Sequence, residues 1–62
     1  RGYLMKLLKL KRPLQGYEKG TEFYLIAESE FIGVKEYVLR TKDLKHKISV
    51  NESELLKHFI FL

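Results

Sequence analysis

The sequence predicts an all-β domain: a small five-stranded barrel with one short helical turn before its last strand, spanning residues 1–62 as a single unit. Three observations lead there. A chain of 62 residues has room for one domain only, and at that size about 60% of the unfolded surface is buried on folding. Its apolar residues fall mostly into β-branched and aromatic runs separated by glycine or polar turns, the pattern of strands. The one strong helix-start signal, Asn51 followed three residues later by Glu54, lies near the end of the chain.

The first segment, Gly2 to Leu10, reads two ways. Leu4, Leu8 and Leu10 share a strand parity that Lys6 interrupts, whereas Leu4, Leu7, Leu8 and Lys11 form one stripe of a short basic helix. A helix of under a dozen residues is marginal without tertiary contacts, so a strand is the expectation. Pro13 stops either one. Pro13 to Gly20 contains the only proline and two of the glycines, and reads as a loop closing in a tight turn at Gly20.

Thr21 to Ala27 then forms a strand, with Phe23, Leu25 and Ala27 on one face and Tyr24 and Ile26 on the other. Two apolar faces suggest a strand shared between two packed sheets or lying inside a small barrel. Glu28 to Phe31 is expected to be a short acidic link. Ile32 to Thr41 is a third strand, in which Ile32, Val34 and Val38 face one way, Tyr37 and Leu39 the other, and Gly33 marks a bulge. Thr41 to Lys45 is a polar turn, after which His46, Ile48 and Val50 alternate with Lys47 and Ser49 as a fourth strand. Asn51 and Glu54 open a helical turn through Leu55, Leu56 and Lys57, with Lys57 at the negative end of its dipole. Phe59 to Leu62 then forms a last short strand or extends the helix, and the strand is the expectation.

This order of elements is similar to that of small SH3-like barrels. Lys19 to Ile26 looks like their second strand, and Ile48 to Leu55 like their fourth strand and the turn after it. The resemblance covers residues 4–62 and is architectural. Signalling SH3 domains bind proline-rich peptides in an aromatic-lined groove that normally includes a tryptophan, and this chain has none. The resemblance implies a class that mostly serves as nucleic-acid-binding or protein-binding modules and rarely carries out catalysis, so a non-catalytic module is expected.

Composition narrows the function further. With 45% apolar and 32% charged residues the chain is too apolar for a disordered tail. No apolar run approaches the ~20 residues of a membrane span. Without cysteine there is no disulfide framework or thiolate metal site, so nothing points to an oxidising compartment and a cytoplasmic location is expected. The chain opens on Arg1 with no initiator methionine, as a trimmed or processed piece would.

Enzymatic chemistry finds no support. His46 and His58 lie apart without further ligands, whereas a metal site needs three or four that converge. Ser29, Ser49 and Ser53 lack the context of a nucleophile elbow. Glu28 and Glu30 read as a solvated pair, because carboxylates do acid–base work only where their environments push the pKa values apart. No phosphate-cradling glycine motif occurs, so neither cofactor nor metal is expected.

Charge is where positive content lies. The net charge is +4, and it is distributed as a basic block up to Arg12, an acidic one holding Glu18, Glu22, Glu28, Glu30 and Glu36, and a basic one from Arg40 to Lys47. Lysine and arginine neutralise phosphates, and exposed aromatic faces stack on unpaired bases. The candidate nucleic-acid-binding residues are Lys9, Lys11, Arg12, Arg40, Lys42, Lys45 and Lys47, with Tyr17 and Tyr37 as stacking platforms. Lysines on a sheet edge also discourage edge-to-edge pairing. The alternative is a protein partner or self-association, through a patch drawn from Tyr3, Met5, Leu14, Phe31 and Phe61. A basic amphipathic helix over residues 3–12, lying on a membrane surface, is a third possibility.

Overall fold

The structure is a computed structural model, and it describes residues 6–62. Five strands and one helix follow in order: β1 (Leu7–Leu10), β2 (Glu22–Phe31), β3 (Val34–Thr41), β4 (Lys47–Asn51), α1 (Glu52–His58) and β5 (Phe59–Phe61). The strands make one antiparallel sheet in the order β4-β3-β2-β1-β5. The all-β expectation holds, and so does the order of elements. The expected barrel is not closed: β4 and β5 are the two edges of an open sheet, and α1, joining them, packs against β3, β4 and β5. No ladder pairs β4 with β5.

Leu7–Leu10 is a strand, so the helical reading of the first segment, and with it a membrane-surface helix over residues 3–12, does not hold where the chain is described; residues 1–5 lie outside the described residues. Among the described residues no helix is long and apolar enough to cross a membrane.

Alternation along each strand sends one parity inward. Leu8, Leu10, Phe23, Tyr37, Leu39, Ile48 and Val50 are buried from the sheet, Leu55 from α1 and Phe59 from β5. Phe23 is the centre of this core, with Tyr17 at 5.3 Å and Phe59 at 5.7 Å, both edge to face. Each such side chain stabilises the fold by ~1.5–3 kcal/mol relative to exposure. The capping box is present as expected: Asn51 Oδ1 accepts from the Glu54 N–H at 2.8 Å, and Glu54 Oε1 from the Asn51 N–H at 3.0 Å.

Two expectations about β2 and β3 need correction. Glu28 to Phe31 is not a link but the second half of β2, paired through Phe31↔Val34. The bulge lies between Leu25 and Ala27, not at Gly33. Ile26 is the extra residue, so Ala27 leaves the face of Phe23 and Leu25 and opposes the outward-facing Val38. This is why both faces of β2 look apolar in the sequence, although a single sheet is present and Ile26 is 42% exposed. Gly33 instead completes a two-residue turn with Ile32, at φ 76° and 50°. Positive φ at both positions is the hairpin turn whose twist matches the strands it joins.

The same turn occurs in miniature in the loop before β2. Leu14 and Tyr17 exchange backbone hydrogen bonds at 3.1 and 2.9 Å around Gln15 (φ 51°) and Gly16 (φ 86°). The loop closes as expected at Gly20, whose φ of 97° lets the Thr21 N–H reach the Glu18 carbonyl at 3.1 Å.

Candidate nucleic-acid interface

Topology gives the molecule two ends. At one lie the 11–21 loop, the β3–β4 turn over residues 42–46, and the C-terminus of α1, whose His58 carbonyl accepts from the Lys11 N–H at 2.7 Å. At the other lie the β2–β3 turn and the N-terminus of α1, which follows Asn51 opposite Glu36. Antiparallel pairing therefore sorts residues that are mixed along the sequence.

The loop end collects Lys11, Arg12, Lys19, Lys42, Lys45 and Lys57, with Lys9, Arg40 and Lys47 on the strand segments beside it. Its carboxylates are Glu18, Glu22 and Asp43. The hairpin end collects Glu28, Glu30, Glu36, Glu52 and Glu54 against Lys35. Basic and acidic groups are thus segregated.

Two of the three carboxylates at the basic end are engaged. Glu22 Oε1 accepts from Lys42 Nζ at 3.1 Å, and that hydrogen bond raises the lysine pKa above its ordinary value. Asp43 Oδ1 accepts from the Thr41 hydroxyl at 2.6 Å and from the Lys45 N–H at 2.9 Å, bonds that hold its carboxyl below the usual carboxylate range. The Thr41 hydroxyl in turn accepts from the His46 N–H at 3.2 Å. Leu44, at φ 66°, completes this turn.

The outward face of the sheet beside this end carries a row that register defines. Leu7 on β1 opposes Tyr24 on β2, Tyr24 opposes Arg40 on β3, and Arg40 opposes Lys47 on β4. Lys9 opposes Glu22 on the same face. Arg40 is half-buried and its Nη1 donates to the Leu44 carbonyl at 3.0 Å, which fixes the guanidinium against the turn. Like charges directly opposite one another destabilise a ladder, so Arg40 and Lys47 form an arrangement that a bound anion would relieve.

Not every candidate belongs to this face. Tyr37 is 8% exposed and part of the core, because it shares the inward parity of Leu39; it is not a stacking platform. Tyr17 is half-buried with its ring packed against Phe23, held by the small turn beside it. Lys42 is tied to Glu22. Lys9, Lys11, Arg12, Lys45 and Lys47 are exposed. The aromatic that stands among the cations is Tyr24, half-buried on the outward face, and it was signalled in the sequence by its parity opposite Phe23 and Leu25. Of the residues suggested for a protein-binding patch, Leu14 packs against the core, Phe31 is 77% exposed and Phe61 48% exposed, and Tyr3 and Met5 lie outside the described residues.

Among the described residues no group of three or more histidine, cysteine or acidic side chains converges as a metal site would require. Comparison of the chain with protein-family models, with curated protein sequences and with solved structures gives no match.

Proposed function

We propose that the protein is a small non-catalytic binding module, related in its strand order to SH3-like barrels, that binds single-stranded nucleic acid on its outward sheet face at the basic end. The observation that carries this reading is the row Tyr24, Arg40 and Lys47, an aromatic ring beside two directly opposed cations. Edge protection accounts for Lys47, which lies on an edge strand; it does not account for Arg40 or Tyr24. In the proposed complex the cations track phosphates, Lys9, Lys11, Arg12 and Lys45 extend the track, and Tyr24 supplies a stacking face.

Fluorescence anisotropy with a labelled single-stranded oligonucleotide over a range of salt concentrations tests the reading. Each phosphate neutralised on a single strand contributes about −0.7 to the slope of log K against log salt. The double variant Arg40→Ala, Lys47→Ala should therefore flatten that slope by about 1.4. Tyr24→Leu should lose ~5- to 150-fold in affinity, the equivalent of one stacked base, while Tyr24→Phe keeps it. Absence of binding at low salt, or equal loss from Lys35→Ala at the far end, would overturn the proposal.

A further inference from the structure

The β3–β4 turn places a carboxylate among cations and a leucine where the backbone favours glycine, and one network joins the two. Leu44 sits at φ 66°, in the left-handed region that residues with a side chain rarely enter. Such residues persist only where their surroundings over-determine them, and they gather at binding sites. Here the Thr41 hydroxyl donates to Asp43 Oδ1 at 2.6 Å, and the same oxygen accepts from the Lys45 N–H at 2.9 Å. The Leu44 N–H reaches the Thr41 carbonyl at 2.7 Å. Asp43 is thus bonded to residues on both sides of Leu44 and closes the turn around it.

What the turn presents is the Leu44 carbonyl. It accepts from Arg40 Nη1 at 3.0 Å, the one hydrogen bond of that guanidinium among the described residues. A guanidinium is a planar fork of five N–H donors, so a single bond restrains its position and leaves most of the donors to an oxyanion. If the turn did not hold Arg40, the ligand would have to order it, at the cost of its rotamer freedom. Asp43 itself is exposed and makes its bonds to Thr41 and Lys45, outside the row of Tyr24, Arg40 and Lys47.

We propose that Asp43 is a positioning residue of the nucleic-acid site: through Thr41 and the Leu44 carbonyl it holds the Arg40 guanidinium ready for a phosphate, so an acidic side chain strengthens the binding of a polyanion. The proposal rests on the nucleic-acid reading and deepens it. Two effects oppose one another here. Repulsion between an exposed carboxylate and a phosphate is screened by water and salt, whereas disorder at Arg40 forfeits a charge-assisted hydrogen bond, one of the strong kind. The second effect is the larger.

Two substitutions remove the same charge and differ in the acceptor they leave. Asp43→Asn keeps an Oδ1 that accepts both bonds, and Asp43→Ala keeps none. If charge alone mattered, both variants would bind a labelled single-stranded oligonucleotide more tightly than the parent. On the proposal, Asp43→Asn keeps the parent's slope of log K against log salt, and Asp43→Ala flattens it by about 0.7, one phosphate contact on a single strand. Thr41→Val alters no charge and breaks the same network, so it should flatten the slope equally. Arg40→Ala combined with Asp43→Ala should be no flatter than Arg40→Ala alone.

A second readout needs no nucleic acid. In nuclear magnetic resonance spectra of the free protein at low temperature, the Arg40 Nη–H groups should give resolved signals in the parent and in Asp43→Asn, and merge in Asp43→Ala. Asp43 lies outside the core, so both of its variants should remain folded by circular dichroism. Tighter binding by both Asp43 variants overturns the proposal, as does an Arg40 signal that Asp43→Ala leaves unchanged. A parent that does not bind, with Arg40 released in Asp43→Ala, overturns the nucleic-acid reading and supports the positioning of Arg40.

Discussion

The Gln15-Gly16 turn and the Ile32-Gly33 turn use the same pair of positive-φ residues, but the side chains that flank them have different fates. Leu14 and Tyr17 fold back onto the core, Tyr17 against Phe23, whereas Phe31 and Val34 stand in solvent. The difference lies in what surrounds each turn. The first lies in a loop drawn in by its own apolar neighbours; the second caps a hairpin whose outer half extends past the register of β1 with Glu22 to Tyr24. Backbone geometry alone does not say whether a turn belongs to the interior or to the exterior of a protein's contacts.

The widest separation between the two regions should come from the core. Phe23→Ala removes the ring on which Tyr17 and Phe59 rest and should cost ~3–5 kcal/mol, a large share of the stability of so small a domain; urea unfolding measures it. Tyr17→Ala should cost ~1–3 kcal/mol, while Phe31→Ala should stay within about 0.5 kcal/mol of the parent. Equal effects from these two would erase the distinction. The hairpin end does have one anchor, the helix cap opposite Glu36, and Asn51→Ala should cost ~1 kcal/mol. Substituting the turns themselves sharpens the contrast: Ile32→Asn should raise the melting temperature, and Gln15→Asn should raise it less, because glutamine is not β-branched.

The smallest effect is electrostatic and belongs to the basic end. The Asp43 pKa is depressed by its bonds to Thr41 and Lys45, so its contribution is present above the ordinary carboxylate value and fades as pH falls through the lowered one. The Lys42 pKa is raised by Glu22, so that contribution is present below the ordinary lysine value and fades as pH rises through the raised one. Both groups are exposed, and the shifts in stability should be slight. Melting temperature followed against pH should show an acid limb that is shallower in Asp43→Asn.

What could be read from the residues alone follows the range of the interactions concerned. The Asn51–Glu54 cap and the Gly20 turn are local, made by groups three residues apart, and they stand where the sequence puts them. The bulge at Ile26 is a property of the β2–β3 ladder, and no residue near it announces it. Gly33 offered the expected sign of a bulge, but the chain needed its positive φ to turn. In β3 the two parities were legible and their direction was not, which is why Tyr37 reads as a free ring until Leu39 is seen beneath the sheet. The basic residues of the site were all visible as composition. Their separation from Glu28, Glu30 and Glu36 exists only once antiparallel pairing has folded the chain back on itself.

The ladder between β1 and β5 joins Leu8 to Phe61 and Leu10 to Phe59, residues at opposite extremes of the described chain. Closing so long a loop demands most of its entropic cost before any contact is gained. The β2–β3 hairpin can zip early on its own, but β1 has its second neighbour, and Phe23 its Phe59 cover, only when the final segment docks. Cooperative collapse is therefore available only once the segment through Phe61 is free to pair. Deleting residues 59–62, and β5 with them, should leave a swollen, loosely packed hairpin state rather than a slightly weakened native one.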